Sequence, residues 1–309
     1  MRAFRFGVQA SLVPSATEWK EQARKVEGLG YSVLTMPDHF TDQLAPVPAL
    51  MAAADATTTL RVGALVWDND YKHPVVFAKE MATMDVLSDG RIEIGIGAGW
   101  MRTDYDAAGM PFDANGVRVS RFEEGLHVMK GLFSEGAFNY SGSHYTITNY
   151  DGLPKSIQRP WPPFLIGGGG KRVLSIAGRE ADIVGINGTM MNGTIDAEAL
   201  STMTAEAVSE KLGWVKAAAG DRFDQIELNV RTFFVKVCND REERAAKIGA
   251  MFGFTGEQLL ASPFAIIGTT DQIAHDLIER RERWGFSYVI VGAEDIDDIA
   301  PVVAQLAGS

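Results

Sequence analysis

The chain has 309 residues, 46% hydrophobic and 22% charged, which is enough to bury a sizeable core without a disulfide or metal staple. Its formal charge of −11, from 40 acidic against 29 basic residues, argues against a non-specific binder of nucleic acid or of an anionic membrane, so any anionic ligand has to be held by local groups. Cys238 is the only cysteine, the N-terminal stretch lacks a signal-peptide pattern and no apolar run approaches transmembrane length, so the expectation is a cytoplasmic protein with no membrane partner.

No fixed-period repeat is evident, but a short apolar run, a turn and a helical pattern recur along the chain, the grammar of βα units. Phe4 to Gln9 reads as the first strand and Thr17 to Leu29 as a helix stopped by Gly30. Tyr31 to Met36 is the second strand, followed by a helix over Ala45 to Thr57. Leu60 to Val66 is the third strand, and Pro74 to Leu87 a helix with proline at its start. Ile92 to Ala98 is the fourth strand; Phe122, Leu126, Met129 and Phe133 then mark a helix over Val119 to Phe133. Phe138 to Ile147 alternates like a hairpin around Ser141-Gly142, and the proline-rich stretch from Tyr150 to Pro163 reads as loop, together an insertion between units rather than a linker between domains.

The grammar then resumes. Phe164 to Ile166 is the fifth strand, Arg172 to Arg179 a short helix, Ile183 to Ile186 the sixth strand and Ala205 to Ala218 a helix. Ile226 to Val237 reads as one long seventh strand, Arg241 to Met251 as a helix and Thr255 to Ser262 as a second insertion. Thr270 to Trp284 is a helix capped by Thr270 or Asp271, Tyr288 to Val291 the eighth strand, and Ile296 to Leu306 closes the chain. Eight strands, most followed by a helix, point to a (β/α)₈ TIM barrel more than to a doubly wound open sheet.

Barrel sites lie just past the strand ends, so those residues are the candidates. After the second strand, Asp38 and His39 either form a plain turn or place an imidazole that bonds a polar heterocycle or moves a proton. After the third, Trp67, Asn69 and Asp70 fit an Asx-rich turn before the Pro74 helix, with Asn69 and Asp70 also able to bond ring heteroatoms. Gly95, Gly97 and Gly99 at the fourth strand's end let a flat ligand or another backbone come close, with Trp100 over the mouth. The clearest local chemistry is Gly167, Gly168, Gly169 and Gly170 between a strand and a helix opened by Lys171 and Arg172. Bare amides at a helix start bind phosphate, and two cations add charge. Asn187, Gly188 and Thr189 at the next strand end can donate to the same anion. The glycine run is neither a Rossmann fingerprint nor a P-loop, and no metal motif or nucleophile elbow occurs.

Three segments carry a family resemblance: Pro37-Asp38-His39-Phe40, the run from Leu87 through Ser88-Asp89-Gly90-Arg91 to Trp100, and Pro163 to Gly170 with Ala177 to Asp182. In order and along nearly the whole chain they resemble the bacterial-luciferase-like superfamily, most closely its branch that uses the deazaflavin F420. The resemblance implies one luciferase-like barrel domain over 1–309, with insertions at about 134–162 and 252–264, often dimeric. It implies F420, or alternatively FMN, in the barrel mouth, and a small organic substrate. It implies a bulge after the third strand with a non-proline cis peptide at Leu65-Val66 backing the ring, phosphate contacts from Gly168, Gly169, Gly170 and the Lys171–Arg172 helix start, and His39 as the histidine that meets the deazaflavin. Trp67 and Trp100 are expected to wall the substrate pocket. Trp100 stands where the family's glucose-6-phosphate dehydrogenase has a glutamate, and that enzyme's substrate-phosphate lysines find no clear match, so sugar-phosphate oxidation does not carry over. The implied activity is hydride exchange at deazaflavin C5. Its rivals are an FMNH₂-dependent monooxygenase, a non-catalytic cofactor-binding protein of the same fold, and an unrelated aldolase or isomerase barrel, which calls for a strand-end lysine or paired acids.

Overall fold

In the computed structural model, which describes residues 1–309, eight parallel strands close on themselves: β1 (Arg5–Gln9), β2 (Val33–Met36), β3 (Arg61–Ala64), β4 (Ile92–Gly97), β5 (Phe164–Gly168), β6 (Ile183–Ile186), β7 (Glu227–Arg231) and β8 (Phe286–Gly292). Neighbours in the ring are neighbours in sequence, and β8 returns to β1 through pairs such as Phe6 with Val289. Helices between the strands cover the outside, so the architecture is the (β/α)₈ TIM barrel.

Strand alternation divides the apolar side chains between two layers. Phe6 and Val8 of β1 point outward into a cluster of 70 buried residues between sheet and helices. Val33, Leu165, Ile183, Tyr288 and Ile290 fill the barrel interior. The interior's N-terminal end is polar. Arg5 bonds Glu93 at 2.5 Å and Glu227 at 2.6 Å, Arg61 reaches Glu93 at 2.9 Å, and the Arg5 guanidinium lies 3.7 Å from the centre of the Tyr288 ring. Burial alone would raise the Glu93 carboxyl, but Arg5 and then Arg61 outweigh it and hold the group below its ordinary value.

Four departures from the sequence reading matter. The third strand stops at Ala64 and resumes as Trp67–Asp68, paired with Ile96 and Gly97 of β4. A helix over Arg102–Ala108, too short and polar to show periodicity, follows β4. The long seventh strand breaks after Arg231. Phe234–Val237 leaves the barrel and pairs with Ala265–Gly268, a strand the sequence reading passed over, and the helices Arg241–Phe252 and Gly256–Ala261 lie between these two strands. A short helix also forms over Ala197–Ser201. The hairpin is present and antiparallel, Phe138–Ser141 against Thr146–Tyr150. No helix is long and apolar enough to cross a membrane.

Candidate active site

Because all eight strands run parallel, every segment leaving a strand's C-terminal end emerges on one rim. His39 follows β2, Leu65 and Val66 follow β3, Gly99 and Trp100 follow β4, the glycine run ends β5, and Asn187 to Thr189 follow β6.

The segment after β3 turns into the barrel. Leu65-Val66 is a cis peptide, and both side chains pack on the interior cluster. Glycines make the room: a Cβ on Gly95 would meet the Ala64 carbonyl oxygen at 1.9 Å, one on Gly97 would meet Val66 Cγ2 at 2.9 Å, and one on Gly167 would meet Val66 Cγ1 at 3.3 Å. The alternating glycines of β4 thus admit a neighbouring backbone. Gly99, with φ of 75°, is packed the same way against the Asp68 carboxyl and the Tyr105 hydroxyl. The Leu65 carbonyl accepts from Gln9 Nε2 at 3.0 Å, and Gln9 Oε1 accepts from Arg231 Nε at 2.9 Å. Arg231 was missed from sequence. Its signal was a cation at the C-terminal end of a barrel strand. Burial pulls its guanidinium below the ordinary value, opposed by the charges of Glu294 and Asp295.

His39 Nδ1 lies 2.6 Å from Asp104 Oδ2, and the ring meets Trp100 edge-on with centroids 5.7 Å apart. Asp104 comes from the unforeseen Arg102–Ala108 helix and also accepts from the Tyr71 hydroxyl at 3.1 Å. Beside it lies a set of carboxyl groups. Asp38 accepts from the Asp68 amide at 3.2 Å, and the Tyr105 hydroxyl stands 2.9 Å from Asp68 and 3.1 Å from Asp70, which also binds Arg121 through both oxygens. Burial, with like charge from Asp70 and Asp38, pushes Asp68 up to about 7, and burial also raises Asp38.

Past β5 the chain enters the helix Lys171–Glu180 from Gly170, and its first-turn amides have no intrahelical acceptor. A Cβ on Gly169 would meet the Gly188 carbonyl oxygen at 2.2 Å, whereas one on Gly170 would meet nothing within 4 Å. The glycine turn is therefore tight against the β6 loop at Gly169 and open at Gly170. Thr189 Oγ1 donates to the Gly169 carbonyl at 2.9 Å and the Asn187 amide donates to the Gly168 carbonyl at 2.9 Å, tying the two loops together. Lys211, 2% exposed, ties the β6 loop to Thr202 by donating to the Asn187 and Thr202 carbonyls at 2.6 and 2.8 Å; burial pulls it down to about 8. Sequence alone showed Lys211 only as one charge on a helix.

Three side chains face elsewhere. Trp67 does not wall a pocket, because it is 2% exposed and packs on Phe77 between sheet and helices. Asn69 is buried with its Oδ1 against Gly125. The Arg172 guanidinium bonds the Gly116 carbonyl and Ser120 hydroxyl, both at 2.9 Å, leaving its backbone amide to the glycine turn. Lys171 is exposed at the helix start.

A family model described as luciferase-like monooxygenase matches residues 3–255. The chain belongs to that family. Within it, the chain is 25% identical over 250 residues to an FMNH₂-dependent dimethylsulfone monooxygenase of Pseudomonas putida, covering 77% of this chain and 65% of that protein. It is 27% identical over 175 residues to an F420-dependent glucose-6-phosphate dehydrogenase of Amycolatopsis mediterranei, covering 52% and 50%. The matches thus span less than two thirds of these relatives' length. Its fold is similar to that of the coenzyme F420-dependent tetrahydromethanopterin reductase of Methanopyrus kandleri, with a TM-score of 0.78 at 20% identity over 99% of this chain and all of that one. The luciferase-like family therefore holds both F420-dependent and FMNH₂-dependent neighbours of this chain.

Proposed function

We propose that this protein is an F420-dependent oxidoreductase that exchanges a hydride with a small organic substrate at the C-terminal rim. The observation that carries this reading is the common placement of three features: the His39 imidazole, the inward Leu65-Val66 bulge and the open glycine turn follow β2, β3 and β5 on one rim. The donor set fits a flat cofactor with a phosphate tail. A Cβ on Gly170 would meet nothing within 4 Å, and the helix that starts at Lys171 leaves its first-turn amides without intrahelical acceptors.

In this reading Gly168, Gly169, Gly170 and the Lys171–Arg172 amides hold the phosphate, with Asn187, Gly188 and Thr189 bracing the loop behind them. Leu65 and Val66 back the ring, held in place by Gln9 on the Leu65 carbonyl. When bound, the deazaflavin supplies hydride chemistry at its central ring. His39 holds or moves a proton at Nε2, and Trp100, edge-on to it, walls the substrate side. A proton-handling side chain at this point suits hydride exchange with a substrate that gains or loses a proton in the same step.

The FMNH₂-dependent relative supports a second reading, monooxygenation by reduced FMN and oxygen. Equilibrium titration of the full chain with F420 and with FMN separates the two. The first reading expects tight F420 binding and no oxygen uptake with reduced FMN. Preferential FMN binding with substrate-dependent oxygen uptake would replace it with the second, and no binding of either would remove both.

A further inference from the structure

We infer that Asp104 is a positioning residue that keeps the proton of neutral His39 on Nδ1, so that the nitrogen facing the rim is an acceptor. The consequence for catalysis rests on the reading of the rim as a redox site; the geometry does not.

Asp104 is 3% exposed and is surrounded by donors. The Phe40 backbone N–H lies 3.4 Å from its Oδ1 and the Tyr71 hydroxyl donates to its Oδ2 at 3.1 Å. An aspartate carboxylate offers only acceptor oxygens, so Oδ2 brings no hydrogen of its own to a contact. The third neighbour, His39 Nδ1 at 2.6 Å from Oδ2, then has to carry a hydrogen. Phe40 also stacks on Tyr71, with ring centroids 4.5 Å apart and 25° between planes. The two residues that donate to Asp104 thus also touch each other.

The opposite edge of the imidazole is free. No protein group bonds Nε2, which is not among the buried unpartnered atoms, and the side chain keeps 20% of its surface exposed. Neutral His39 therefore presents a lone pair to the rim and can take a proton there. Once protonated, it presents a donor at Nε2 while Asp104 faces the new positive charge. Without Asp104 the ring is free to turn and to carry its hydrogen on either nitrogen. The two residues are 65 positions apart, one after β2 and one after β4, so the pairing exists only in the closed barrel.

The test is ¹⁵N NMR of histidine-labelled full chain without cofactor, with His39 assigned among the five histidines by His39→Gln. At a pH where the ring is neutral, the wild type is expected to show a protonated Nδ1 and a bare Nε2. Asp104→Asn should mix the tautomers or move the hydrogen to Nε2, and Asp104→Glu should restore the wild-type pattern. F420 added to the wild type should shift the Nε2 signal more than the Nδ1 signal. A wild-type ring protonated at Nε2 overturns the inference, as does an Asp104→Asn spectrum with unchanged His39 signals. If Asp104→Asn does not fold, the wild-type and Asp104→Glu spectra decide the matter. A Nδ1-protonated ring in a chain that binds neither F420 nor FMN keeps Asp104 as positioning residue and removes the cofactor reading alone.

Discussion

A Cβ placed on Gly97 would stand 2.9 Å from Cγ2 of Val66, so the β4 glycine and the bulge residue are fitted to each other. Beside it, a Cβ on Gly95 would overlap the Ala64 carbonyl oxygen at 1.9 Å, a backbone atom that cannot swing away. Gly95→Ala should therefore cost more than Gly97→Ala, which asks only a side chain to move. Overpacking of this kind costs about 1–3 kcal/mol, and Gly95→Ala belongs at or beyond the upper end. Urea unfolding of the two variants measures the order, and equal costs would mean that the bulge is softer than its contacts imply.

Gly169 and Gly170 offer a sharper comparison at the proposed phosphate cradle. Gly169→Ala drives a methyl into the Gly188 carbonyl at 2.2 Å, so both melting temperature and cofactor affinity should fall. Gly170→Ala meets no protein atom within 4 Å and should change stability by under about 1 kcal/mol. Its methyl would project into the space given to the phosphate, so F420 affinity should still drop, by about tenfold. Thermal melts and fluorescence titration read the two effects separately. Wild-type affinity in Gly170→Ala would move the phosphate elsewhere.

Asp68 gives a signed pH dependence. Burial raises its carboxyl from 3.8 to about 7 in the folded chain. Between those values the folded state binds more protons than the unfolded state, so this group's contribution to stability falls as pH rises from about 4 to 7. Asp68→Asn removes the contribution. The difference in unfolding free energy between variant and wild type should thus shift toward the variant when pH is raised from 5 to 7.5. A protonated carboxylic acid band at pH 5.5, lost in Asp68→Asn, is the matching infrared observation.

Glu93 works in the opposite sense. Its folded value lies below the ordinary one, so the stability it adds is present above about 4.5 and is lost as pH falls through the folded value. Glu93→Gln leaves Arg5 and Arg61 short of their shared acceptor inside the barrel. Removing one partner of a buried ion pair costs about 3–5 kcal/mol, which denaturant unfolding resolves easily. A loss under about 1 kcal/mol would mean that water or Glu227 takes over the pairing.

Much of the barrel was legible because its signals are local. Apolar runs bounded by glycine and proline marked the eight strands that form the ring, helical periodicity marked the helix that ends at Phe133, and a leading proline marked Pro74–Leu87. The Arg102–Ala108 helix escaped because seven residues rich in polar side chains carry no period to read. Ala265–Gly268 escaped because its partner, Phe234–Val237, had been read as the continuation of a barrel strand. Asp104, Arg231 and Lys211 carried no motif, since each acts through a residue distant in sequence.

The order of runs and turns by itself determined the eight βα units and the strand ends on which His39 and the glycine turn stand, and it favoured a closed barrel over a doubly wound sheet. Which way the side chains past each strand end would face was decided only in three dimensions. Val66 turns into the barrel and Trp67, its neighbour, turns out against Phe77, because successive residues of an extended chain point to opposite faces and the break after Ala64 sets the phase. The same closure brings Asp104 to His39 and leaves one imidazole nitrogen facing the open rim.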